Sequence, residues 1–583
     1  MVENQDARNS ASEGTRVSDS SGAETANMAG YEMVADALAT AGVECIFGLL
    51  GDDTGPLVVA TTERGIRYVF VRHENQAVAM ADGYSRVTGR VGVATVTGGP
   101  GFSNAITAIN TAHRGGSRVC VLIGTGSVAE DELERTRIRT TPPANWLKYF
   151  PQSAMLGLLG ISMVKPGNAA SAGRETRFAL DRARKGTVVL MLARDVLQET
   201  ASREGAVSAT ATEAIATVRQ PDPEQIATVA DLLQEAWAVN RPLILAGRGA
   251  VASGAASALR RLGELTGALL ATTLHANASF HGDPYNLGIC GTYSNPVASE
   301  LIPQADCVLV FGAGLNSLTT YMNTLFPKAM IIQVDTDEAA FGRFVDVELG
   351  VQADTRVSAE MLVAELERRG HCVEGFRTAA VRDAIAGYRA SDGIKDKSTS
   401  QLVDPRTLMI ELDRALPPQR ILGVDGGQQA RVAIRYIRVE RPENFVQASD
   451  AGAIGLGIGT AIGAAVGRPG ELVVAAIGDA SMMMSLGDLE TAVRLRLPIL
   501  VVVSNDEALG SEVNFLIEHG LDSEIAKTPS PSFAAIASAM GARAETVCSP
   551  GDLVVVERWL RERSSVPLVL DCRVNPEIRV HFP

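Results

Sequence analysis

The fold class is decided by residues 471–510, which read ELVVAAIGDASMMMSLGDLETAVRLRLPILVVVSNDEALG. The apolar run 472–477 ends at a glycine, and the residues from there to Leu495 place apolar side chains at helical spacing. Pro498 then restarts the chain as a second apolar run, ILVVV. The stretch therefore predicts a strand, a helix and a second strand parallel to the first, as in an α/β sheet.

An acidic residue follows each of these two strands. Asp479 comes after the first and Asp506 after the second. The carboxyl ends of neighbouring parallel strands meet at one edge of the sheet, where α/β proteins bind ligands. Mg²⁺ that is bound to phosphate groups commonly takes carboxylates as its protein ligands. The backbone N–H groups of Ala480 and Ser481, at the start of the predicted helix, can donate hydrogen bonds to the same phosphates. The pattern predicts a Mg²⁺–diphosphate site; the alternative is two acidic strand ends in an ordinary sheet.

The composition narrows the class of protein. A length of 583 residues predicts roughly three to four domains. The formal charge, 53 − 67 = −14, argues against nucleic acid or an anionic membrane as partner. The seven cysteines are scattered without a CxxC pair, which is typical of reduced thiols in the cytoplasm. No secretory signal is visible, and the apolar run 451–466 is too short for a membrane span. We therefore expect a cytoplasmic protein.

The chain divides into segments by composition. Residues 1–27 contain almost nothing that can be buried, which predicts a disordered tail. Three arrays of alternating strand and helix patterns follow, and the last of them opens with a helix predicted over 405–415. The fold class is therefore expected to be α/β, with three doubly wound parallel-sheet domains at 28–200, 221–370 and 404–583, joined by linkers at 201–221 and 371–403.

A second informative stretch, residues 72–101, reads RHENQAVAMADGYSRVTGRVGVATVTGGPG. Glu74 lies where a strand passes into a helix, and an acid in a first helical turn needs no further explanation than the helix dipole. Together with Asp479 and Asp506, however, the stretch resembles the thiamine diphosphate (ThDP) enzymes of the acetolactate synthase and pyruvate decarboxylase kind. Their diphosphate motif is GDG or GDA followed by NN, and Asp506 replaces its second Asn. The resemblance covers 28–200 and 403–583 closely and the middle more loosely.

The resemblance implies a role for each domain and for particular residues. The three domains would be pyrimidine-binding, middle (Rossmann-like) and diphosphate-binding, in that order. Glu74 would be catalytic, by hydrogen bonding to the pyrimidine ring, and Gln152 would lie near the reacting centre. Active sites would form between subunits of a homodimer or homotetramer. The implied Mg²⁺ ligands are Asp479, Asp506 and the carbonyl of Ala508, and the implied cofactor-binding residues are Gly427, Gln428, Gln429, Ile454, Gly478, Ala480 and Ser481.

The middle domain departs from FAD-binding members of this family. The segment LGICGTYSN lacks their G-M-H-G loop. The segment VFGAGLNSLTTY has Gly314 and Leu318 where they carry arginines. FAD is therefore not expected.

The implied function is a ThDP- and Mg²⁺-dependent C–C lyase or carboligase resembling acetolactate synthase. It would act on a 2-keto acid or related carbonyl through a C2 ylide and an enamine. Leu318 replaces the arginine that binds the second keto acid, and residues 126–150 lack the His pair of pyruvate decarboxylases. One alternative is a 2-hydroxyacyl-CoA lyase or oxalyl-CoA decarboxylase type with ADP or CoA in the middle domain; another is a non-catalytic homologue serving in assembly. The donor, the acceptor and the choice between dimer and tetramer stay open.

Overall fold

The structure is a computed structural model that describes residues 27–126, 148, 150–202, 218–234 and 240–578, without the side chains of Gln429 and Ala430. The expected tail 1–27 lies outside the described residues except for Asn27, and so does most of the linker 201–221. Three six-stranded sheets, each with all its strands parallel, carry the fold. The predicted α/β class with three parallel-sheet units is confirmed.

The N-terminal unit runs from the first described residue to Ser202. Its strands are β1 (Asn27–Ala29), β2 (Cys45–Gly48), β3 (Arg67–Phe70), β4 (Gly92–Val96), β5 (Val119–Thr125), β6 (Ser162–Val164), β7 (Val188–Ala193) and β8 (Thr200–Ser202). Its helices are α1 (Gly30–Thr40), α2 (Gly55–Glu63), α3 (Glu74–Thr88), α4 (Pro100–Arg114), α5 (Gln152–Leu158), α6 (Ala169–Ala183) and α7 (Arg194–Gln198). The sheet order is β3-β2-β4-β5-β7-β6, and β1 pairs with β8 separately.

The middle unit has the sheet order β11-β10-β9-β12-β13-β14. These strands are β9 (Pro242–Ala246), β10 (Leu269–Thr272), β11 (Asn286–Ile289), β12 (Cys307–Phe311), β13 (Met330–Asp335) and β14 (Leu349–Gln352). The helices are α8 (Pro223–Gln234), α9 (Arg248–Ser253), α10 (Ala256–Thr266), α11 (Pro296–Leu301), α12 (Thr355–Arg368) and α13 (Ala379–Gly387). Helix α13 corrects the expectation of a linker over 371–403. Its residues Val381 and Ile385, spaced four apart, pack against the core of this unit.

The C-terminal unit has the sheet order β16-β15-β17-β18-β20-β19. The strands are β15 (Arg420–Val424), β16 (Phe445–Gln447), β17 (Leu472–Gly478), β18 (Ile499–Asn505), β19 (Arg543–Val547) and β20 (Leu568–Arg573). The helices are α14 (Pro405–Ala415), α15 (Gln428–Tyr436), α16 (Gly457–Gly467), α17 (Asp479–Arg494), α18 (Gly510–Glu518), α19 (Phe533–Ala539) and α20 (Val554–Arg561). Residues 471–510 thus form the predicted strand, helix and parallel strand.

The N-terminal and C-terminal units share one hydrophobic core. Helices α3 and α16 pack together at its centre, where a Cβ added to Gly83 would lie 2.0 Å from the carbonyl oxygen of Thr460. Gln76 ties the same two helices, because its side chain donates to the Gly455 carbonyl (2.6 Å) and accepts from the Gly459 N–H (3.0 Å). The helix of Glu74 is therefore fixed against the C-terminal unit. No helix in the described part of the chain is both long and apolar enough to cross a membrane.

Candidate functional site

Strands β17 and β18 end side by side at the carboxyl edge of the third sheet. Their parallel register pairs Gly478 with Ser504. Asp479 follows the first strand directly, and Asp506 follows the last residue of the second. The structure therefore brings both predicted metal-binding residues to the edge where α/β sheets bind ligands.

Asp479 is the first residue of α17, and its side chain is buried. The carboxylate accepts hydrogen bonds from the Ala480 N–H (2.8 Å) and the Ser530 hydroxyl (2.7 Å). Burial raises the pKa of Asp479 above its ordinary value, whereas these hydrogen bonds act in the opposite direction. A cation beside this carboxylate would favour its charged form, which is the form that binds a metal.

Asn505 supplies a further oxygen that the sequence prediction did not include. Its buried side chain donates from Nδ2 to Oδ1 of Asp571 (2.9 Å), which orients the amide group. Within the described residues, Oδ1 of Asn505 has no hydrogen-bond partner. Leaving a buried acceptor unsatisfied costs about 1–3 kcal/mol, so this oxygen suits a ligand at the sheet edge.

Asp506 lies between the end of β18 and the start of α18. A Cβ built on Gly510, the first residue of α18, would lie 2.7 Å from Oδ2 of Asp506. One carboxylate oxygen of Asp506 thus reaches the start of this helix. Asn505, the last residue of β18, is more deeply buried than Asp506.

Ala508 offers a backbone carbonyl beside these side chains. It forms an isolated antiparallel bridge with Lys527. The hydrogen bonds of this bridge, at 2.8 and 2.9 Å, are made by the neighbouring residues Glu507 and Leu509. In such a pair the bridged residue itself directs its carbonyl away from the opposite strand. The carbonyl of Ala508 is therefore directed away from the Lys527 strand.

The donor set at this edge consists of oxygen atoms only. It comprises the carboxylates of Asp479 and Asp506, the amide oxygen of Asn505 and the carbonyl of Ala508. Hard cations such as Mg²⁺ take oxygen ligands and are commonly completed by phosphate oxygens and water. These residues fit Mg²⁺ bound to a diphosphate.

Two helices, α15 and α17, begin at the same edge, and the backbone N–H groups of a first helical turn point out of the helix start. Gly427 precedes α15 and has a φ of +87°, a conformation that favours glycine. A Cβ on Gly427 or Gly478 would meet no atom within 4 Å, so both positions face open space. Ala480 and the buried Ser481 lie in the first turn of α17. Helix N-termini of this kind bind phosphate groups.

The two glutamines after Gly427 differ in what the structure describes. The buried side chain of Gln428 accepts a hydrogen bond from Asn514 and donates to the carbonyl of Ile578 (3.3 Å). Its amide is therefore held by α18 and by the last described residue of the chain. The side chain of Gln429 lies outside the described part of the structure.

Ile454 is half-buried in the loop before α16. A Cβ on Gly426 would lie 2.8 Å from Cγ2 of Ile454. The isoleucine side chain therefore packs against the turn that leads into α15. The predicted cofactor residues Ile454 and Gly427 are thus neighbours.

Glu74 and Gln152 meet at the turn 98–101 of the N-terminal unit. Glu74 is the first residue of α3 and is buried, and its Oε2 accepts a hydrogen bond from Asn104 (3.1 Å). Its other oxygen, Oε1, would lie 3.3 Å from a Cβ on Gly101. The buried Gln152 accepts a hydrogen bond from the N–H of Gly99 (3.3 Å). The structure therefore brings the two predicted catalytic side chains to one turn.

Asp53 supports this turn, and the sequence reasoning did not identify it. Its buried carboxylate accepts hydrogen bonds from the Thr97 hydroxyl (2.6 Å) and the Gly98 N–H (2.9 Å), and Lys148 lies 3.3 Å away. The available signal was the acidic pair Asp52-Asp53 shortly after the apolar run 45–50.

The predicted residues therefore form two clusters. The hydrogen bonds that fix Glu74 and Gln152 come from the N-terminal unit, and those that fix Asp479 come from the C-terminal unit. The first cluster offers a shielded carboxyl group, and the second offers oxygen ligands and helix N-termini.

Comparison with known proteins agrees with a fold and site of this kind. Three family models match the chain: the N-terminal TPP binding domain of thiamine pyrophosphate enzymes at 28–151, their central domain at 226–362 and their C-terminal TPP binding domain at 425–572. The chain belongs to the thiamine pyrophosphate enzymes. It is a ThDP-dependent enzyme, and the alternative of a non-catalytic assembly protein is set aside.

Similar curated proteins place it near the acetolactate synthases. A probable acetolactate synthase large subunit of Methanocaldococcus jannaschii is 26% identical and covers 94% of this chain and 92% of that protein. Acetolactate synthase isozyme 2 large subunit of Escherichia coli is 28% identical, with 88% and 90% covered. Sulfoacetaldehyde acetyltransferase of Castellaniella defragrans is 29% identical, with 93% and 91% covered. The chain is thus an acetolactate synthase-like ThDP enzyme.

Proposed function

We propose that this enzyme is a Mg²⁺-dependent C–C lyase or carboligase that acts on a 2-keto acid or a related carbonyl compound. The observation that carries the proposal is the buried carboxyl group of Glu74, held by Asn104 at the head of α3. A buried carboxyl group can hold and move a proton without competition from water.

The second support is the oxygen donor set at the edge of the third sheet. Asp479, Asp506 and Ala508 would hold Mg²⁺, and the helix starts after Gly427 and Gly478 would hold the diphosphate. Bound ThDP supplies a carbon nucleophile that also accepts the electron pair of a breaking C–C bond. The chain's own contribution is to orient the cofactor, to exclude water and to hold a proton at Glu74.

One residue of the middle unit bears on the choice of second substrate. Leu318, which is 54% exposed, offers no charge to a carboxylate at the position where acetolactate synthases are expected to carry an arginine. An acceptor bound elsewhere, or one without a carboxylate, therefore fits better than a second 2-keto acid. Since a sulfoacetaldehyde acetyltransferase is as similar as the synthases, aldehydes belong among the candidates.

A direct screen tests the proposed function. The protein is incubated with ThDP and Mg²⁺ and offered pyruvate, acyloins, sulfoacetaldehyde or 2-hydroxyacyl-CoA thioesters, and CO₂, aldehyde and new C–C products are measured. We expect CO₂ release from a 2-keto acid, lost when EDTA removes the metal. Turnover of CoA thioesters alone would favour the 2-hydroxyacyl-CoA lyase or oxalyl-CoA decarboxylase type instead. Cofactor binding without turnover of any of these compounds would contradict the proposal.

The proposal includes a homodimer or homotetramer with active sites between subunits. Its support is the family resemblance, which implies sites between subunits, together with the fact that the residues that hold the Glu74 and Asp479 carboxyl groups, Asn104 and Ser530, belong to different units of the chain. Sedimentation with and without ThDP and Mg²⁺ tests it. A cofactor-loaded protein that turns over as a monomer would rule it out.

A further inference from the structure

Asp425 is a buried acid that neither a motif nor the proposed metal site accounts for. It follows β15 directly and its side chain is only 2% exposed. Its Oδ2 accepts hydrogen bonds from the N–H groups of Gly455 (3.0 Å) and Gly457 (2.9 Å), and its Oδ1 accepts from the N–H of Gly426 (2.7 Å). The hydroxyl of Ser481 is close enough to the same carboxylate to lower its pKa. One side chain thus accepts from three backbone donors and faces a fourth, a hydroxyl.

These four donors belong to three segments that are distant in the chain. The first is the turn 425–427 before α15, the second is the loop 453–457 that carries Ile454, and the third is the first turn of α17. Each of them contains residues of the proposed cofactor site. Within the described part of the chain, the hydrogen bonds of Asp425 go to these segments and not to the side chains of Asp479 or Asp506.

The fit around Asp425 is close. A Cβ on Gly457 would lie 2.9 Å from Cβ of Asp425 and 2.7 Å from Cγ2 of Ile477. Gly455 has a φ of +88°, which favours glycine. The loop before α16 therefore reaches the carboxylate only because it carries glycine at both places.

We propose that Asp425 is the positioning residue of the cofactor site, which holds Ile454 and Ser481 in fixed places relative to the turn 426–427. The inference rests on the proposed function, because it assigns the purpose of these three segments to cofactor binding. A carboxylate suits the role, since it only accepts hydrogen bonds and offers about four acceptor positions to the four donors. Burial raises the pKa of Asp425, and the hydrogen bonds lower it.

Asp425→Asn is the informative substitution. The amide keeps one acceptor oxygen, but its NH₂ group must face N–H donors that it cannot accept from. Loss of a hydrogen bond to a charged group corresponds to about 10-fold or more in an equilibrium constant. We expect the Kd for ThDP at saturating Mg²⁺ to rise at least about 10-fold in the full-length variant.

Asp404→Asn is the matched control. Asp404 is also a buried acid of the C-terminal unit that accepts backbone N–H bonds, from Arg406 (2.9 Å) and Lys397 (3.2 Å), but it caps α14. A general loss of stability would affect ThDP binding equally in both variants. Positioning by Asp425 predicts weaker ThDP binding in Asp425→Asn only.

A double-variant cycle separates positioning from mere support of the fold. If Asp425 acts through Ile454, the losses in ThDP affinity of Asp425→Asn and Ile454→Ala will be less than additive when combined. Ser481→Ala, which removes one donor, serves if Asp425→Asn does not fold, and it should weaken ThDP binding by a smaller factor. An unchanged Kd in Asp425→Asn, an equal loss in Asp404→Asn, or full additivity would overturn the inference. If the parent protein itself failed to bind ThDP, the proposed function would fail instead.

Discussion

Glu74 and Gln152 reach the same turn, but they are held by different kinds of contact. Glu74 accepts a side-chain hydrogen bond from Asn104, whereas Gln152 accepts from the backbone of Gly99. A glutamine in place of Glu74 would keep an acceptor for Asn104 but hold no ionisable proton. A Glu74→Gln substitution should therefore remove the ionisable group at this position without disturbing the fold.

Replacing Glu74 with Gln should leave folding and ThDP binding nearly intact and lower turnover about 100-fold to 10,000-fold, the usual contribution of a general acid or base. The measurement is the exchange rate of the thiazolium C2 proton of bound ThDP. Glu63→Gln, at the exposed end of α2, is the control and should not change it. Exchange as fast in Glu74→Gln as in the parent would show that the assignment of Glu74 is wrong.

Asp506 places a full negative charge where the family carries a neutral amide. The carboxylate attracts a divalent cation but repels the phosphates of the cofactor at short range. With Mg²⁺ between them the attraction prevails, and without it the repulsion is uncompensated. We expect ThDP binding to depend steeply on Mg²⁺, and Asp506→Asn to weaken this dependence while keeping activity at saturating metal.

Titration of ThDP at several Mg²⁺ concentrations in both proteins checks this. The structure also offers Oδ1 of Asn505, which has no hydrogen-bond partner among the described residues, as a ligand at the same edge. If the two proteins show the same metal dependence, Asp506 does not bind the metal and Asn505 takes its place. Asn505→Ala would then be the variant that loses Mg²⁺.

Helices and strands were predictable where local signals agree. The helix predicted over 405–415 is Pro405–Ala415, since Asp404 caps it by accepting from the Arg406 N–H and a proline occupies its first position. The meeting of Asp479 and Asp506 at one sheet edge was predictable because neighbouring parallel strands end together. Asp425 was not, because three of its donors are backbone N–H groups, which nearly every residue carries. Asp53 was not either, since its partners Thr97, Gly98 and Lys148 lie more than forty residues away in the chain.

The small residues of α16 predict a closely packed helix, but the pattern did not show that α3 is its partner. The contact between the two helices depends on Gly83 and Gly463, which lie far apart in the chain; a Cβ on Gly463 would come within 1.9 Å of the Met80 carbonyl. Small residues are common in helices that pack closely, so they indicate close packing but do not identify the helix on the other side.

Gly463→Ala should therefore destabilise the protein by about 1–3 kcal/mol, the usual cost of overpacking. The control is Gly487→Ala in α17, where a Cβ would lie 3.5 Å from Arg72, an ordinary contact. This control should be neutral or stabilising, since alanine is the better helix former. Urea unfolding measures both. Equal stability of Gly463→Ala and Gly487→Ala would show that the helices can move apart.

The middle unit has its own hydrophobic core. Its sequence lacks arginines of FAD-binding relatives, which predicts that it binds no FAD. Gly314 and Leu318 stand where FAD-binding relatives are expected to carry arginines. The purified protein should therefore show no flavin absorbance. A flavin spectrum at stoichiometric occupancy would contradict this and would indicate that backbone contacts alone hold FAD.

All three units meet at the side chain of Asp450. Its carboxylate pairs with Arg86 of α3 (2.5 Å) and with His275 of the middle unit (2.9 Å), and Arg86 also pairs with Asp82 (2.7 Å). Asp450 and Arg86 are almost completely shielded from water. Despite burial, the guanidinium of Arg86 and the imidazole of His275 hold the pKa of Asp450 well below its ordinary value. Breaking one member of such a buried network leaves an uncompensated charge.

Asp450→Asn should lower the free energy of unfolding by about 3–5 kcal/mol at neutral pH, since it leaves Arg86 with one carboxylate partner. Because the pKa of Asp450 is lower in the folded than in the unfolded protein, its contribution is present above about pH 3.9 and is lost as the pH falls towards the folded pKa. The parent should therefore lose more stability than Asp450→Asn on acidification below about pH 4. Thermal unfolding measured from pH 7 downwards checks this difference. The control is Asp181→Asn, which breaks an exposed ion pair and should barely change stability. Parallel pH profiles of parent and Asp450→Asn would mean that Asp450 does not hold the three units together through its charge.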